Sequence, residues 1–209
     1  VVPGREFVPN WHIDAIAYEL TRCYRGETRR LIITVPPRYL KSIAASVAFP
    51  AWILGHDPTA QLICASYNTE LAVKHALDTR TVMTCEWYRE RFKQTRLDTQ
   101  RNTQSELTTT RRGTRLATSV GGTLTGRGGQ FVIIDDPHKA DEALSETKRQ
   151  VGKDWFRNSV LSRLDSKQDG CIILIQQRLH EDDLAGLLLA EQGWRHLNLP
   201  AIAEAEEHI

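Results

Sequence analysis

The sequence is poor in the features that mark secreted and membrane proteins. It has four cysteines in 209 residues, and they form no C-x-x-C pair. Cys64 and Cys171 lie inside apolar runs, so we expect buried thiols and a reducing compartment rather than a disulfide framework. The longest apolar stretch, residues 43–54, contains Pro50 and is too short to span a bilayer. There is no signal-peptide pattern, so we expect no membrane association.

Strong net charge is also absent. With 27 Lys and Arg against 26 Asp and Glu, the net charge is +1. This value excludes an overall basic nucleic-acid binder but leaves room for a local basic patch. Residues 84–105 are polar and basic with interleaved aromatics, and we interpret them as a solvated helix and loop in preference to a DNA-facing patch. The chain neither begins with Met nor extends far past Pro200, so we expect an excised domain.

The stretch from Leu31 to Ser42 predicts a phosphate-binding loop. It begins as an apolar, β-branched run, ends in Lys-Ser and precedes a helical pattern that runs from Ile43 to about Leu54. Strand, tight loop and helix in this order are the context of such a loop, in which backbone N–H groups and the helix N-terminus face an anion. Lys41 would reach the outer phosphates, and the Ser42 hydroxyl would hold Mg²⁺.

The loop departs from the G-x-x-x-x-G-K-[ST] pattern. Val35 and Leu40 stand at its two glycine positions, and Pro36 and Pro37 have no N–H to donate to a phosphate. A left-handed backbone at Leu40 would cost roughly 1–2 kcal/mol, which a packed loop tolerates. The alternative interpretation is a strand, a proline turn and a helix that starts with Lys-Ser by chance.

Further apolar strands are predicted at residues 61–66, 130–136 and 171–175, and helical patterns alternate with them. This alternation predicts an α/β fold with a largely parallel sheet. The strand at 130–136 ends in Asp135 and Asp136, which is the Walker B arrangement: one carboxylate for the Mg²⁺ shell and one that orients or deprotonates water. A strand-terminal turn is the alternative, because Asp-Pro is common in turns.

Other elements are predicted from periodicity and turn residues. We expect a helix at 11–24, a helix at 68–83, a hairpin at 106–119, a long helix from Glu142 to about Leu164, and a last strand at 196–199. The apolar face of the long helix would comprise Val151, Trp155, Val160 and Leu164. The run 180–183, His-Glu-Asp-Asp, lies at a helix start, which suits capping and the helix dipole better than metal ligation.

Four segments together resemble the ATPase domain of tailed-phage terminase large subunits. They are Val35-Pro-Pro-Arg-Tyr-Leu-Lys-Ser42, Thr125-Gly-Arg-Gly128, Val132-Ile-Ile-Asp-Asp-Pro137 and Gln177-Arg-Leu-His-Glu-Asp-Asp-Leu184. The likeness runs from Phe7 to Ala203. It implies that residues 1–209 are a single RecA-like, additional-strand (ASCE) P-loop NTPase domain, α/β with a mainly parallel central sheet flanked by helices. In the family, a C-terminal nuclease domain would follow.

The resemblance also implies which residues bind ATP and Mg²⁺. The nucleotide-binding residues would be Trp11, His12, Pro37, Arg38, Tyr39, Leu40, Lys41 and Ser42. Ser42 and Asp135 would be the metal ligands, and Asp136 the catalytic carboxylate. Trp11 would stack on the adenine and His12 would read its edge; a capping or half-buried histidine is the alternative.

Further catalytic roles follow from the resemblance. Arg38 matches the arginine that this family places in its phosphate loop. Gln176 and Gln177 match the coupling motif after the fourth strand, where a polar side chain senses the γ-phosphate. Arg127 lies on a glycine-rich loop just before Walker B and is the candidate arginine finger for a neighbouring subunit's site. An exposed loop arginine or a contact to a DNA phosphate is the alternative for Arg127.

The function that the resemblance implies is a motor that hydrolyses ATP to translocate double-stranded viral DNA into a procapsid. Its partners would be double-stranded DNA, the small terminase subunit, the portal protein and further copies in a ring on the procapsid, in the cytoplasm of the infected bacterial host. Nuclease activity is not expected, because its acidic cluster is not evident. Two alternatives stay open: a helicase-like DNA translocase, and a non-hydrolysing nucleotide-binding or scaffolding domain suggested by the missing glycines.

Overall fold

The apolar runs form a seven-stranded sheet with helices on both faces, and a computed structural model describes residues 7–202. The strands are β1 (Arg30–Thr34), β2 (Gln61–Ser66), β3 (Glu106–Thr108), β4 (Thr114–Ser119), β5 (Phe131–Asp135), β6 (Cys171–Gln176) and β7 (Arg195–Asn198). The helices are α1 (Trp11–Tyr24), α2 (Phe49–His56), α3 (Thr69–Thr84), α4 (Glu86–Arg91), α5 (Glu146–Trp155) and α6 (Leu184–Leu189). A π-helical segment, Ile43–Ala48, leads into α2. A second one, Phe156–Val160, follows α5 and continues into the short 3₁₀ helix Leu161–Arg163.

The strand order is β3-β4-β2-β5-β6-β1-β7, and only the β3–β4 pair is antiparallel. Strand β6 therefore lies between β1 and β5. Its register places Gln176 beside Thr34 of β1 and Ile175 beside Asp135 of β5. Because these three strands are parallel, the loops that follow them meet at one edge of the sheet. The predicted α/β fold with a mainly parallel sheet is confirmed.

Alternation along the central strands produces two apolar layers. Ile33, Ile133 and Ile173 face the layer formed with α1, α2 and the end of α3. Their neighbours Ile32 and Leu174 face the opposite layer, beneath α5 and α6. A sheet covered on both faces requires strands that are apolar throughout, and this is the pattern of β1, β5 and β6 in the sequence.

The long helix predicted from Glu142 to Leu164 is wrong in its extent. The α-helix begins at Glu146, where the Ser145 side chain caps it, and changes to π and 3₁₀ geometry after Trp155. Val151, predicted on its apolar face, is 50% exposed. Leu77 of α3 is also exposed, although it is a large apolar residue in a predicted helix. Helical periodicity predicts which residues form the apolar stripe of a helix. The tertiary contacts decide how much of that stripe is buried.

Other predicted elements are confirmed. The hairpin at 106–119 forms β3 and β4, and the last strand forms at β7. Cys64 and Cys171 are buried, as their apolar surroundings predicted. None of the helices within residues 7–202 is long and apolar enough to cross a membrane.

Candidate nucleotide site

The predicted phosphate loop and the predicted Walker B pair lie against each other at the carboxyl edge of the sheet. The Lys41 amine is 2.9 Å from an Asp136 carboxylate oxygen. The Ser42 hydroxyl donates to Asp135, 93 positions away in the chain, at 3.0 Å. Two distant segments thus share one site, while the catalytic roles of their residues stay predictions.

Two residues of the predicted phosphate loop have a left-handed backbone, although neither is a glycine. Leu40, at the second glycine position, has φ +60°, and Arg38 has φ +69°. Both values lie in the left-handed region that favours glycine. Arg38 and Tyr39 are exposed, as is Pro37, so the proline-rich turn is open to solvent. The backbone here carries the strain that the sequence predicted for Leu40, roughly 1–2 kcal/mol.

This strain leads to a prediction. Leu40→Gly and Leu40→Ala remove the same packing, but only glycine relieves the left-handed backbone. We expect the glycine variant to have the higher free energy of unfolding, by about 1 kcal/mol, in a denaturant titration. Ala45→Gly, in the π-helical segment, is the control and should destabilise by about the same amount. Equal stability of the two Leu40 variants would contradict the strain.

The buried carboxylate of Asp135 has a hydroxyl on each oxygen. Ser42 donates to Oδ1 at 3.0 Å, and Ser46 donates to Oδ2 at 2.8 Å. Carboxylate and hydroxyl oxygens are the hard ligands that Mg²⁺ takes, and adjacent ligands of an octahedral Mg²⁺ lie about 2.9 Å apart. The Ser42–Asp135 pair therefore fits the ion in both chemistry and spacing.

Burial sets the protonation of the groups around this carboxylate. Burial, and then the charge of Asp136, raise the pKa of Asp135 from 3.8 to about 7. Burial, followed by the charge of Arg115, lowers the pKa of His75 to about 4. His75 is therefore a neutral imidazole near neutral pH, and its Nδ1 lies 3.6 Å from Asp135, too far for a hydrogen bond.

A buried arginine behind the site donates to a carbonyl of the segment after the loop. Pro50 has no N–H to give to the Ser46 carbonyl four residues earlier. That carbonyl accepts from Arg115 at 3.1 Å and from the Thr79 hydroxyl at 3.4 Å. Arg115 is fully buried and also donates to the carbonyl of Ala72. The π-helical segment after the loop is thus fastened to α3 and β4, with the Ser46 hydroxyl on Asp135.

The additional strand β6 contacts both motifs. The Gln177 N–H donates to the second Asp136 oxygen at 3.0 Å, and Asp136 itself has φ +44°. The Gln176 carbonyl accepts from the N–H of Val35 at 3.1 Å. The Gln176 side chain is buried and donates to Asp183 at 2.8 Å. Both predicted coupling residues therefore lie beside the site, Gln177 through its backbone.

The N-terminal segment lies next to the loop. The His12 ring is 5.3 Å from the Tyr39 ring in an edge-to-face arrangement, whereas Trp11 is 61% exposed. An apolar groove of about 510 Å³ runs between α1 and the helix after the loop. Its lining includes Phe7, Leu40 and Trp52. Adenine contacts by Trp11 and His12 stay a prediction.

Arg127 is held far from the phosphate loop of its own chain. Its guanidinium forms two hydrogen bonds with Glu106 of β3, at 2.7 and 2.8 Å. Strand β3 lies five strand spacings from β1, roughly 24 Å across the sheet. In this conformation Arg127 cannot serve the nucleotide site of its own chain.

The run 180–183 caps a helix, as its position predicted. The Asp183 carboxylate accepts from the N–H of Gly186 at the start of α6, and Asp182 pairs with Arg149 and Lys153 of α5. In the part of the chain that the structure describes, no three His, Cys, Asp or Glu side chains are grouped to hold a metal ion. Mg²⁺ at Ser42 and Asp135 would therefore need phosphate oxygens to complete its shell.

Sequence reasoning missed several residues at this site. Ser46, His75 and Arg115 surround Asp135, and Asp183 holds Gln176. A polar residue inside an apolar stretch was a signal for Ser46 alone. The contacts of His75 and Arg115 join segments that are distant in the chain, so no local sequence pattern predicts them.

The fold defines a class of protein. The predicted phosphate loop follows β1, the acidic pair lies at the end of β5, and one strand lies between β1 and β5. This strand order is that of the RecA-like, additional-strand fold that the resemblance implied.

Solved structures share this fold. The large terminase of bacteriophage HK97 superposes with a TM-score of 0.64 at 13% identity, covering 98% of this chain and 42% of that one. Large terminase of the thermophilic bacteriophage D6E superposes with a TM-score of 0.51, in complex with ADP at 13% identity and with ATP-γ-S at 14%. These cover 86% of this chain and 44% and 43% of theirs, so it spans less than half of either terminase. The resemblance to phage large terminases is confirmed at the level of the fold. No protein-family model and no curated protein matches this sequence.

Proposed function

We propose that this chain is the ATPase motor domain of a large terminase subunit, and that it hydrolyses ATP to translocate double-stranded viral DNA into a procapsid. The observation that carries the proposal is the contact of Lys41 with Asp136 and of Ser42 with Asp135 at one sheet edge. The ADP and ATP-γ-S bound to D6E large terminase, which shares the fold, support a nucleotide at this edge.

The residues of the loop divide the binding of ATP between them. Lys41 binds the outer phosphates, with N–H groups of residues 38–42 around them, and Arg38 lies on the exposed side of the loop. Ser42 and Asp135 would hold Mg²⁺, which would neutralise charge on the phosphoryl oxygens. Trp11 and His12 contact the adenine.

Asp136 is the residue that acts on water. It is engaged by Lys41 and by the N–H of Gln177. When Lys41 turns to a phosphate oxygen, one carboxylate oxygen of Asp136 becomes free to orient water and accept its proton. Gln177 keeps the other oxygen in place. Gln176, on the same turn, responds to the γ-phosphate.

The working form is a ring of this subunit on the procapsid, with the portal protein, the small terminase subunit and DNA as partners in the cytoplasm of the infected host. The distance between Arg127 and its own phosphate loop supports an arginine supplied to a neighbour. Turnover of the isolated domain is therefore weak and rises on assembly.

The arginine finger is tested by Arg127→Ala. We expect the assembly-dependent turnover to fall by roughly tenfold or more, with nucleotide affinity kept, because the arginine acts on transition-state charge. Glu106→Gln is the matched control, since it breaks the same ion pair but leaves the arginine. If the two variants lose the same turnover, the pair is structural and the finger is wrong.

The function as a whole is tested with the full-length protein, portal-bearing procapsids and double-stranded DNA. We expect ATP-dependent protection of the DNA from added nuclease as it enters the procapsid. Strand separation of a forked duplex without such protection would favour a helicase-like translocase. Tight ATP binding without turnover in the assembled ring would favour a scaffolding domain.

A further inference from the structure

A buried carboxylate lies between the end of β6 and the start of α6. The side chain of Asp183 is 2% exposed. One oxygen accepts from the Gln176 amide at 2.8 Å and from Arg178 Nε at 3.1 Å. The other accepts from the N–H of Gly186 at 2.8 Å. Asp183 therefore does more than cap α6, because one of its oxygens accepts hydrogen bonds only from Gln176, at the end of β6, and from the turn that follows it.

The turn that Asp183 holds touches both halves of the nucleotide site. The carbonyl of Gln176 accepts from Val35, the first residue of the phosphate loop. The N–H of Gln177 donates to Asp136. A displacement of this turn would move contacts on the phosphate loop and on the acidic pair together.

Asp183 also decides which end of the Gln176 amide faces the site. An ionised carboxylate only accepts hydrogen bonds, so the NH₂ group of Gln176 must face it. The amide oxygen then has no hydrogen-bond partner among residues 7–202. Gln176 lines a small pocket of about 10 Å³ together with Asp136 and His138. That volume holds about one water molecule.

We propose that Asp183 is a positioning residue: it fixes the turn after β6 and turns the Gln176 amide oxygen toward the pocket beside Asp136. The inference rests on the proposed function, because the groups it positions act on water at the γ-phosphate. A water in that pocket would meet two acceptors, the Gln176 oxygen and Asp136, and could give each a hydrogen bond. Without Asp183 the amide is free to present its NH₂ group instead.

Asp183 has two roles that substitutions can separate: it caps α6 through the Gly186 N–H, and it holds Gln176 and Arg178, a contact that we call the clamp. Asp183→Asn keeps an oxygen for the Gly186 N–H, and asparagine caps helices as well as aspartate does. The NH₂ group of the introduced asparagine, however, then faces the NH₂ group of Gln176. It is a donor, so Arg178 loses its acceptor as well. Asp183→Ala removes both the cap and the clamp. Glu181→Gln, at an exposed neighbour, is the control.

For Asp183→Asn we expect kcat for ATP to fall roughly 10- to 100-fold with little change in KM, because the displaced groups act in the chemical step. The Gln177 and Leu179 amides, held by Asp136 and Asp183, should exchange with solvent at least roughly tenfold faster. The Gly186 amide should keep its protection. Glu181→Gln should match the wild type in each measurement.

The double variant Asp183→Asn with Gln176→Glu exchanges donor and acceptor. The NH₂ group of the introduced asparagine can then donate to one oxygen of the introduced glutamate, and the other oxygen faces the pocket. We expect the Gln177 amide to regain roughly tenfold protection from exchange over Asp183→Asn alone. A role of Asp183 confined to capping α6 would not produce this recovery, because the cap is already present in Asp183→Asn.

Wild-type kcat and Gln177 exchange in Asp183→Asn would reduce Asp183 to a helix cap and overturn the proposal. Loss of Gly186 protection to the level of Asp183→Ala, or no recovery in the double variant, would also overturn it. If the wild-type protein shows no ATP turnover in the ring, the proposed function fails. The exchange of Gln177 and Gly186 still tests the clamp in that case.

Discussion

Lys41→Ala is expected to lower ATP turnover by roughly 10²- to 10³-fold, the cost of removing one preorganised charge from a phosphoryl-transfer site. Lys41 is 6% exposed and its amine contacts Asp136, so its loss removes the positive charge that lies against the acidic pair. Turnover is measured on the assembled protein, and nucleotide affinity by equilibrium titration. We expect both to fall, because Lys41 contacts phosphate in the ground state and in the transition state.

The matched control is Lys74→Ala. Lys74 is an exposed lysine on α3 that pairs with Asp78, so its loss should change turnover by less than about twofold. Thermal unfolding of both variants shows whether a loss of turnover is caused by a loss of folded protein. Full turnover in Lys41→Ala, with the control also active, would refute the assignment of the nucleotide site.

Asp135→Asn is expected to have two opposite effects. Turnover should fall by roughly 10³-fold, because the amide is a poor Mg²⁺ ligand and the metal contributes several kcal/mol to the transition state. The nucleotide-free and metal-free protein should nevertheless become more stable above neutral pH. The wild-type carboxylate is buried and its pKa is raised to about 7, so its ionisation opposes folding.

The pH dependence gives the sign of this second effect. The pKa of Asp135 is higher in the folded chain than in the unfolded chain, so its contribution to stability is present below about pH 4 and is lost as pH rises toward 7. Asparagine does not titrate. The two proteins should therefore unfold with similar free energy at about pH 4, and the variant should be roughly 2–4 kcal/mol more stable at about pH 8. If the wild type and Asp135→Asn have equal free energies of unfolding at about pH 8, with chelator present, then ionisation of Asp135 does not oppose folding and the prediction is wrong.

Predicting the fold from this sequence succeeded where the signal is local. The β-branched runs at β1, β5 and β6 are apolar on both faces, which occurs in a covered parallel sheet. The extent of the helix after Asp136 was wrong because the change to π geometry at Phe156 has no signature in the periodicity. Val151 lies on the predicted stripe but outside the area that the sheet covers.

The site was predictable in part for the same reason. Lys41, Ser42, Asp135 and Asp136 each end or follow a strand, so parallel pairing predicts that they lie at the same edge of the sheet. Their contact depends in addition on the strand order, which places only β6 between β1 and β5. The contact of Arg115 with the Ser46 carbonyl spans 69 residues, so no pattern within one element predicts it. Asp183 was predicted to cap a helix, which it does, but its second oxygen serves a strand seven residues earlier.

The sequence by itself determined the class of fold and the order of its motifs, because apolar runs and the residues that end them act within a few positions of the chain. Only the tertiary structure decided that β6 lies between β1 and β5 and that Arg127 is held at the far side of the sheet. It also decided that His75 lies beside the Asp135 carboxylate and that Arg115 donates to the Ser46 carbonyl next to it. Strand order and buried contacts depend on how whole elements pack, and a pattern within one element carries no information about its neighbour in space.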